Sequence, residues 1–167
     1  MALIKPNNNT LQRISDQWRL TSAASFNTNG ADITANLEQV DTTGQGTIGT
    51  AMTESSGIFS FPSTGIYKID AQFSFFLNGD TRWIYGLIKG TTDNSTYNNL
   101  SGNYDFIQQT NNSTTYSSSY ISTLFDVTNT SNCKVKFHLD TATGTVNVYG
   151  DTNMNNTCFS FTRLGDT

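Results

Sequence analysis

The sequence offers one histidine around which an active site could be organised, His138. Imidazole is the side chain most often used for general acid–base catalysis and for binding metals. Lys136 and Asp140 alternate with His138, so all three side chains share one face of a predicted strand, Cys133 to Asp140. This alternation indicates a solvated strand histidine and not a catalytic one.

Acidic residues that could form a glycosidase pair all lie beside predicted turns: Asp80, Asp93, Asp105, Asp126 and Asp151. A glycosidase needs two carboxylates facing each other across the scissile bond, whereas turn aspartates commonly serve the backbone. The sequence also lacks a phosphate-binding loop, a Cys-x-x-Cys pair and a Gly-x-Ser-x-Gly elbow. We therefore predict no enzymatic activity and no cofactor, while a calcium site made of backbone carbonyls stays open.

Composition and charge exclude several classes of protein. The 9 Lys and Arg are scattered and are outnumbered by 13 Asp and Glu, whereas nucleic-acid binding needs clustered basic residues. No apolar run approaches the ~20 residues of a membrane span, and Met1 to Thr10 lacks the apolar segment of a secretory signal. We expect neither nucleic acid nor membrane as a partner. Cys133 and Cys158 are too few for a disulfide framework, and whether they form a bridge stays open.

The elements that must position any site are strands. Apolar and polar residues alternate along Ile66 to Leu77 and Cys133 to Asp140, which is the pattern of half-buried strands. Thr81 to Lys89 and Tyr116 to Val127 have apolar residues on both faces, so each strand should need a second partner. Shorter candidate strands are Trp18 to Ser22, Ile33 to Leu37, Thr47 to Met52, Ile58 to Phe61, Val146 to Val148 and Cys158 to Leu164. Thr91 to Asn103 and Thr110 to Ser119 are expected to be loops or frayed strand ends.

About ten strands at this spacing, without any helical periodicity, predict an all-β antiparallel sandwich. The domain organisation we expect is an N-terminal arm, residues 1–16, followed by a single domain, residues 17–167. The predicted core consists of Tyr67, Ile69, Phe73, Phe75, Val135, Phe137, Phe159 and Phe161.

The segment from Ser56 to Tyr67 resembles the central signature of the complement-q/TNF-like jelly-roll family. It has a glycine, two alternating aromatics, a Pro/Gly turn, and then Gly-aliphatic-Tyr leading into a long strand. Further similarities follow in the family's order at Trp83 to Gly90, Ser118 to Val127, Cys133 to Leu139 and Cys158 to Asp166. The resemblance implies an antiparallel jelly roll that forms a homotrimer around a three-fold axis.

The N-terminal half is also similar to short virion proteins of marine bacteriophages, in Trp18 to Thr21, Ile33 to Glu38 and Asp41 to Gly65. This similarity implies a protein made in the bacterial host cytoplasm and displayed on the virion surface. We expect a trimeric capsid decoration or cement protein, bound to the major capsid protein or another virion protein. The alternative is a receptor-binding tip or tail-fibre knob that binds a glycan or protein on the host surface.

Three sets of residues are candidates for these contacts. The trimer interface candidates come from the strands with two apolar faces: Trp83, Tyr85, Tyr116, Tyr120 and Leu124. The capsid-anchoring candidates are apolar and basic residues of the arm: Leu3, Ile4, Lys5, Leu11, Arg13 and Ile14. The glycan-binding candidates of the alternative hypothesis are the loop tyrosines Tyr97 and Tyr104.

Overall fold

The segments in which apolar and polar residues alternate form strands of two antiparallel β-sheets. The structure is a computed structural model that describes residues 13–167. The all-β prediction is confirmed, and within residues 13–167 no helix is long and apolar enough to cross a membrane. The strands are β1 (Ser15–Leu20), β2 (Ala24–Asn27), β3 (Ala31–Asp32), β4 (Leu37–Gln39), β5 (Thr53–Ser55), β6 (Ile58–Ser60), β7 (Gly65–Leu77), β8 (Thr81–Thr91), β9 (Asn98–Ile107), β10 (Thr115–Val127), β11 (Lys134–Thr141), β12 (Thr145–Val148) and β13 (Cys158–Gly165).

The two sheets pack face to face with the core between them. The front sheet runs β2-β12-β7-β13-β1-β4, and β10 pairs with the other edge of β7 along its whole length. The back sheet runs β5-β6-β11-β8-β9, with β3 also paired to β11. Strands β9 and β10 are therefore edge strands of different sheets, and a hydrogen bond from Ser117 Oγ to the Asp105 carboxylate joins them.

The core consists of the inward-facing residues of both sheets. All eight predicted core residues are confirmed, because each has a fully buried side chain. Phe137 of the back sheet stacks on Phe159 of the front sheet with 3.6 Å between ring centroids and 9° between planes. Aromatic side chains are thus the largest residues of the core, and they contact each other across the two sheets.

Several of the predicted element boundaries are wrong. Ile33 to Leu37 is not one strand, because Asn36 has a φ of 59° in the left-handed region and turns the chain between β3 and β4. Thr47 to Met52 is a loop, and Thr47 Oγ1 and Met52 N at its two ends both donate hydrogen bonds to the Asp16 carboxylate. The second half of the predicted loop Thr91 to Asn103 belongs to β9.

The sandwich begins before residue 17, the predicted boundary, and the two cysteines are not bridged. Ile14 and Asp16, which the sequence assigned to the arm, have exposed fractions of 1% and 0% and belong to the sandwich. Residues 1–12 lie outside the described residues. Cys133 is buried in the core and Cys158 lies on β13, and both are free thiols.

Candidate functional site

The outer face of β10 carries a strip of large exposed side chains. We call Tyr116, Tyr120 and Leu124 the front strip; their exposed fractions are 64%, 57% and 63%. The intervening Ile121 and Phe125 point the other way and are buried. The front strip is thus the second apolar face that the sequence pattern predicts for this strand.

A charged pair on β7 fixes the middle of the front strip. The Tyr120 hydroxyl donates a hydrogen bond of 2.5 Å to Asp70 Oδ1, and Lys68 Nζ lies 3.0 Å from the same oxygen. Burial raises the pKa of Asp70, but the hydrogen bonds from Tyr120 and Lys68 outweigh it and lower that pKa below its ordinary value. The hydrogen bond to the Asp70 carboxylate raises the pKa of Tyr120. Tyr120 is therefore a neutral donor held in one orientation.

An aromatic cluster surrounds the N-terminal end of the front strip. The Tyr116 ring lies 5.9 Å from Phe76 and 6.4 Å from Tyr149, and Phe76 lies 5.9 Å from Tyr149. Beside this cluster is a shallow pocket of about 310 Å³ whose lining includes Ser74 and Asn156. The outer face of the front sheet therefore has an aromatic margin along β10 and a polar surface next to it.

The other two interface candidates, Trp83 and Tyr85, lie on the outer face of the back sheet. There Tyr85 stacks on Tyr104 of β9, with 3.9 Å between centroids and 5° between planes. Trp83 meets the Tyr104 ring edge-on at 5.8 Å and 90°. We call Trp83, Tyr85 and Tyr104 the back platform. The structure thus divides the five trimer interface candidates between two sheets and joins two of them to a glycan candidate.

A glycine makes the stack of the back platform possible. Gly102 lies opposite Leu87 in the β8–β9 ladder, two residues before Tyr104. A Cβ at Gly102 would lie 2.6 Å from the Tyr85 hydroxyl and 2.7 Å from Leu87 Cδ2. The Tyr85 side chain therefore occupies the space that any other residue at position 102 would fill.

Tyr97, the second glycan candidate, is not part of the back platform. Its ring lies under Lys136 Nζ, 4.3 Å from the ring centroid. Lys136 Nζ is also 2.7 Å from Asp32 Oδ2. Burial raises the pKa of the Tyr97 hydroxyl, and the Asp32 charge adds to that effect. Tyr97 therefore serves to cover an ion pair.

The prediction of a solvated His138 is wrong. The side chain is only 17% exposed, and Nδ1 lies 2.6 Å from Asp32 Oδ1. Asp32 is on β3, which pairs with β11 so that His138 and Asp32 face each other. No local pattern reveals this pair, because 106 positions separate the two residues. The histidine therefore connects β3 to the back sheet.

Two buried charges on β1 hold the loop between β4 and β5. The Asp16 carboxylate accepts hydrogen bonds from Trp18 Nε1 at 2.8 Å, Met52 N at 2.8 Å and Gln39 Nε2 at 2.9 Å. Arg19 is 1% exposed and donates to Glu38 on β4 at 2.7 Å. These contacts tie the loop to the edge of the front sheet.

The same contacts connect three N-terminal segments, Trp18–Thr21, Ile33–Glu38 and Asp41–Gly65. Arg19 belongs to the Trp18–Thr21 segment, Glu38 to the Ile33–Glu38 segment, and Asp41 with Thr42 to the third segment. Arg19 Nη2 lies 2.9 Å from Asp41 Oδ1, and Arg19 Nη1 donates to Thr42 Oγ1 at 2.7 Å. The three segments therefore share one polar network, which the local sequence patterns do not reveal.

Of the six anchoring candidates, only Arg13 and Ile14 belong to the described residues. Leu3, Ile4, Lys5 and Leu11 lie outside the described residues. Arg13 is exposed and lines a pocket of about 370 Å³ together with Ile48 and Leu164. Ile14 is buried in the core of its own sandwich. Of the two described candidates, Arg13 is the one whose side chain can reach another molecule.

Across residues 13–167, no three His, Cys, Asp or Glu side chains come together in a group that could hold a metal ion. Asp32 and His138 come together only as a pair, and Lys136 lies beside the other oxygen of that carboxylate.

Comparison with known proteins shows the fold. No protein-family model and no curated protein matches this sequence. Among solved structures, Eiger TNF from S. frugiperda superposes with a TM-score of 0.68 at 11% identity, covering 94% of this chain and 96% of that one. Murine APRIL at pH 8.5 superposes with a TM-score of 0.62 at 13% identity, covering 91% and 99%. The chain thus has a TNF-like jelly-roll fold, which agrees with the family resemblance of the Ser56–Tyr67 segment.

Proposed function

We propose that this protein is a non-enzymatic structural component of a phage virion. It forms a homotrimer that decorates the capsid surface, and its N-terminal arm attaches the trimer to the major capsid protein or another virion protein. The TNF-like jelly-roll fold supports this proposal. The similarity of three segments to phage virion proteins supports the location.

The front strip is the observation that supports the proposed trimer. Tyr116, Tyr120 and Leu124 place three large side chains, each more than half exposed, in one row on a regular sheet face. Monomeric proteins rarely expose contiguous apolar surface without using it for binding. A second copy that covers this strip with a different surface makes a heterologous contact, and such contacts close into a three-fold ring when each relates neighbours by a rotation of about 120°.

Features of the remaining surface support a role in a particle. Charged residues make up only 13% of the chain, and the net charge is −4. Thr, Ser and Asn supply most of the exposed polar groups. Such a surface keeps a protein soluble while offering few charges for non-specific adhesion. We also propose the absence of catalysis, since His138 is held in an ion-paired cluster with Asp32 and Lys136.

Light scattering coupled to size exclusion tests the assembly, and virion counting tests the location. We expect a mass three times the 18.3 kDa of one chain. Quantitative mass spectrometry of purified virions should find hundreds of copies per particle if the protein decorates the head. A stable monomer at micromolar concentration would refute the trimer, and a few copies per particle would refute decoration.

A receptor-binding tip or tail-fibre knob is the second candidate function. The back platform favours it, because Tyr104 is 60% exposed although it stacks on Tyr85. A low copy number together with binding to host cells would support this candidate over decoration.

A further inference from the structure

We propose that Trp83, Tyr85 and Tyr104, the back platform, bind a neutral sugar ring of a surface glycan. This inference goes beyond a structural role, and it names the ligand class of the receptor-binding alternative. It does not depend on where the protein lies in a particle.

The back platform is rigid, which a shallow binding surface requires. The Trp83 carbonyl accepts three hydrogen bonds, from Thr81 Oγ1 at 3.0 Å, Ala142 N at 3.0 Å and Thr141 Oγ1 at 3.2 Å. Thr81 and Thr141 are themselves buried. Strand β8 is also paired on both sides, with β11 and with β9. Because its backbone is already fixed, ordering the platform costs little when a ligand binds.

The rings are arranged so that aromatic surface stays in contact with solvent. Tyr85 covers one face of Tyr104, and Trp83 touches that ring edge-on. Tyr104 nevertheless remains 60% exposed. A flat, polar-tipped aromatic surface of this kind suits the C–H face of a pyranose ring, because the ring packs apolar edges on the aromatic while its hydroxyls stay hydrated.

Neighbouring groups favour an uncharged ligand with hydroxyl groups. Asp140 lies opposite Tyr85 in the β8–β11 ladder, so its carboxylate, which accepts a hydrogen bond from Thr141 N at 2.8 Å, lies on the same face of the sheet as the platform. Asp105, on β9, is directed to Ser117 of β10. With a carboxylate on the same face as the rings and a net charge of −4, phosphate, sulfate or sialic acid groups would be repelled. A nucleobase would stack as well, but the phosphates attached to it face the same repulsion.

Gly102 gives this surface a feature that can be tested without removing an aromatic ring. Because a Cβ at position 102 would lie 2.6 Å from the Tyr85 hydroxyl, Gly102→Ala should displace Tyr85 from Tyr104. The variant keeps all three rings and the strand pairing of β9. The variant therefore tests whether sugar binding depends on the stacking of the rings and not only on their presence.

The experiment uses full-length protein labelled with 5-fluorotryptophan, which gives one ¹⁹F resonance for each of Trp18 and Trp83. The probes are cellohexaose, maltohexaose and the hexamer of N-acetylglucosamine, with a hyaluronan hexamer as the charged comparison. At least one neutral probe should shift the Trp83 resonance. Trp18 serves as the internal control, because its indole N–H is bonded to the buried Asp16.

Variants then assign the binding to the stack. Tyr104→Ala and Gly102→Ala should each weaken the binding of the responding probe about tenfold, the size expected when a stacking contact is lost. Tyr104→Phe keeps the ring and should bind within about twofold of the wild type. Tyr97→Phe, at the other tyrosine, is the matched control and should leave the affinity unchanged.

Three results would overturn the proposal. The first is a Trp83 resonance that none of the neutral probes shifts at millimolar concentration. The second is an unchanged affinity in Tyr104→Ala. The third is dissociation of the assembly by Tyr104→Ala, which would make the back platform a contact between copies of this chain. Light scattering of the wild type reports assembly separately, so failure of the sugar titration leaves the trimer proposal standing, and the reverse also holds.

Discussion

Arg19 on β1 donates a hydrogen bond of 2.7 Å from Nε to Glu38 Oε1 on β4, although the Arg19 side chain is only 1% exposed. The pair closes the edge of the front sheet, where β4 is the last strand. Taking a guanidinium out of water is costly unless each of its nitrogens finds a partner. Glu38, Asp41 and Thr42 supply those partners, so the position of the following loop depends on this one side chain.

The first prediction concerns the two acidic partners of Arg19. Glu38→Ala should lower the free energy of unfolding by about 3 kcal/mol, because it leaves a buried guanidinium without its closest carboxylate. Asp41→Ala should have a small effect, because that carboxylate is 83% exposed and solvent screens the pair. Urea unfolding of both variants measures the difference. Equal costs would show that Glu38 is not the principal partner.

Strands with regular alternation could be predicted from the sequence, and irregular ones could not. Along β7 and β11 the period of two is nearly uninterrupted, so the faces and the core residues such as Phe73 and Phe137 follow directly. Strand β9 reads Asn-Asn-Leu-Ser-Gly-Asn before Tyr104 and has no alternation. It becomes a strand because β8 provides a ladder for it, which is tertiary context that local propensity cannot contain.

The candidate sites show the same division. Exposure of Tyr116, Tyr120 and Leu124 follows from the two apolar faces of their strand. The Tyr85–Tyr104 stack depends instead on the register between β8 and β9, which pairs these two residues directly. That register is interrupted between Ile88 and Lys89, and no sequence pattern specifies such a shift. Hence the sequence suggested the tyrosines separately but not their contact.

The second prediction concerns the dependence of stability on pH at Asp32. Burial raises the pKa of Asp32, but hydrogen bonds and charges from Lys136 and His138 outweigh it and hold the pKa below its ordinary value of 3.8. The ionised carboxylate therefore stabilises the fold above about pH 4. This contribution is lost as the pH falls through the lowered pKa of the folded state, because the carboxyl is then protonated.

The measurement compares the wild type with Asp32→Asn by urea unfolding at pH 7 and at pH 3. The difference in unfolding free energy should be larger at pH 7. Asp166→Asn, at a carboxylate that is 71% exposed, is the control and should show little difference at either pH. A gap between wild type and Asp32→Asn that widens towards pH 3 would contradict the assigned direction of the pKa shift.

The third prediction revises the expected effect of replacing His138. A solvated histidine would be replaceable without cost, but the contact of 2.6 Å between Nδ1 and Asp32 Oδ1 ties β3 to β11. His138→Ala should therefore lower the free energy of unfolding by about 1.5–3 kcal/mol, the range for a hydrogen bond to a charged group. Assembly and particle binding should be unchanged. Loss of a function without loss of stability would instead return His138 to consideration as a catalytic residue.

The fourth prediction concerns Leu124 in the front strip. Leu124→Glu should convert the trimer to a folded monomer, because a buried interface does not accept an unpaired carboxylate. Since the side chain is 63% exposed in the single chain, the same change should cost the monomer little stability. Light scattering and circular dichroism measure these two quantities. The matched control is Ile58→Glu on the back sheet, which should remain trimeric; a trimeric Leu124→Glu would remove the front strip from the interface.

The fifth prediction concerns the arm and its attachment to a larger assembly. Because Ile14 is buried and Asp16 holds the loop that ends at Met52, a deletion that tests the arm must stop before these residues. Removal of residues 2–12 should leave the oligomeric mass and the melting temperature near those of the full chain, since the sandwich keeps its core. The truncated protein should no longer be incorporated into virions when it competes with the full-length protein during infection.

Arg13→Glu in the full-length chain should weaken incorporation as well, because this exposed side chain lies where the arm joins the sandwich. The alternative is that the arm packs along its own jelly roll, and it predicts a lower melting temperature with unchanged incorporation. Mass spectrometry of purified virions together with thermal unfolding of the free protein separates the two outcomes, and full incorporation of the truncated chain would exclude an anchoring role.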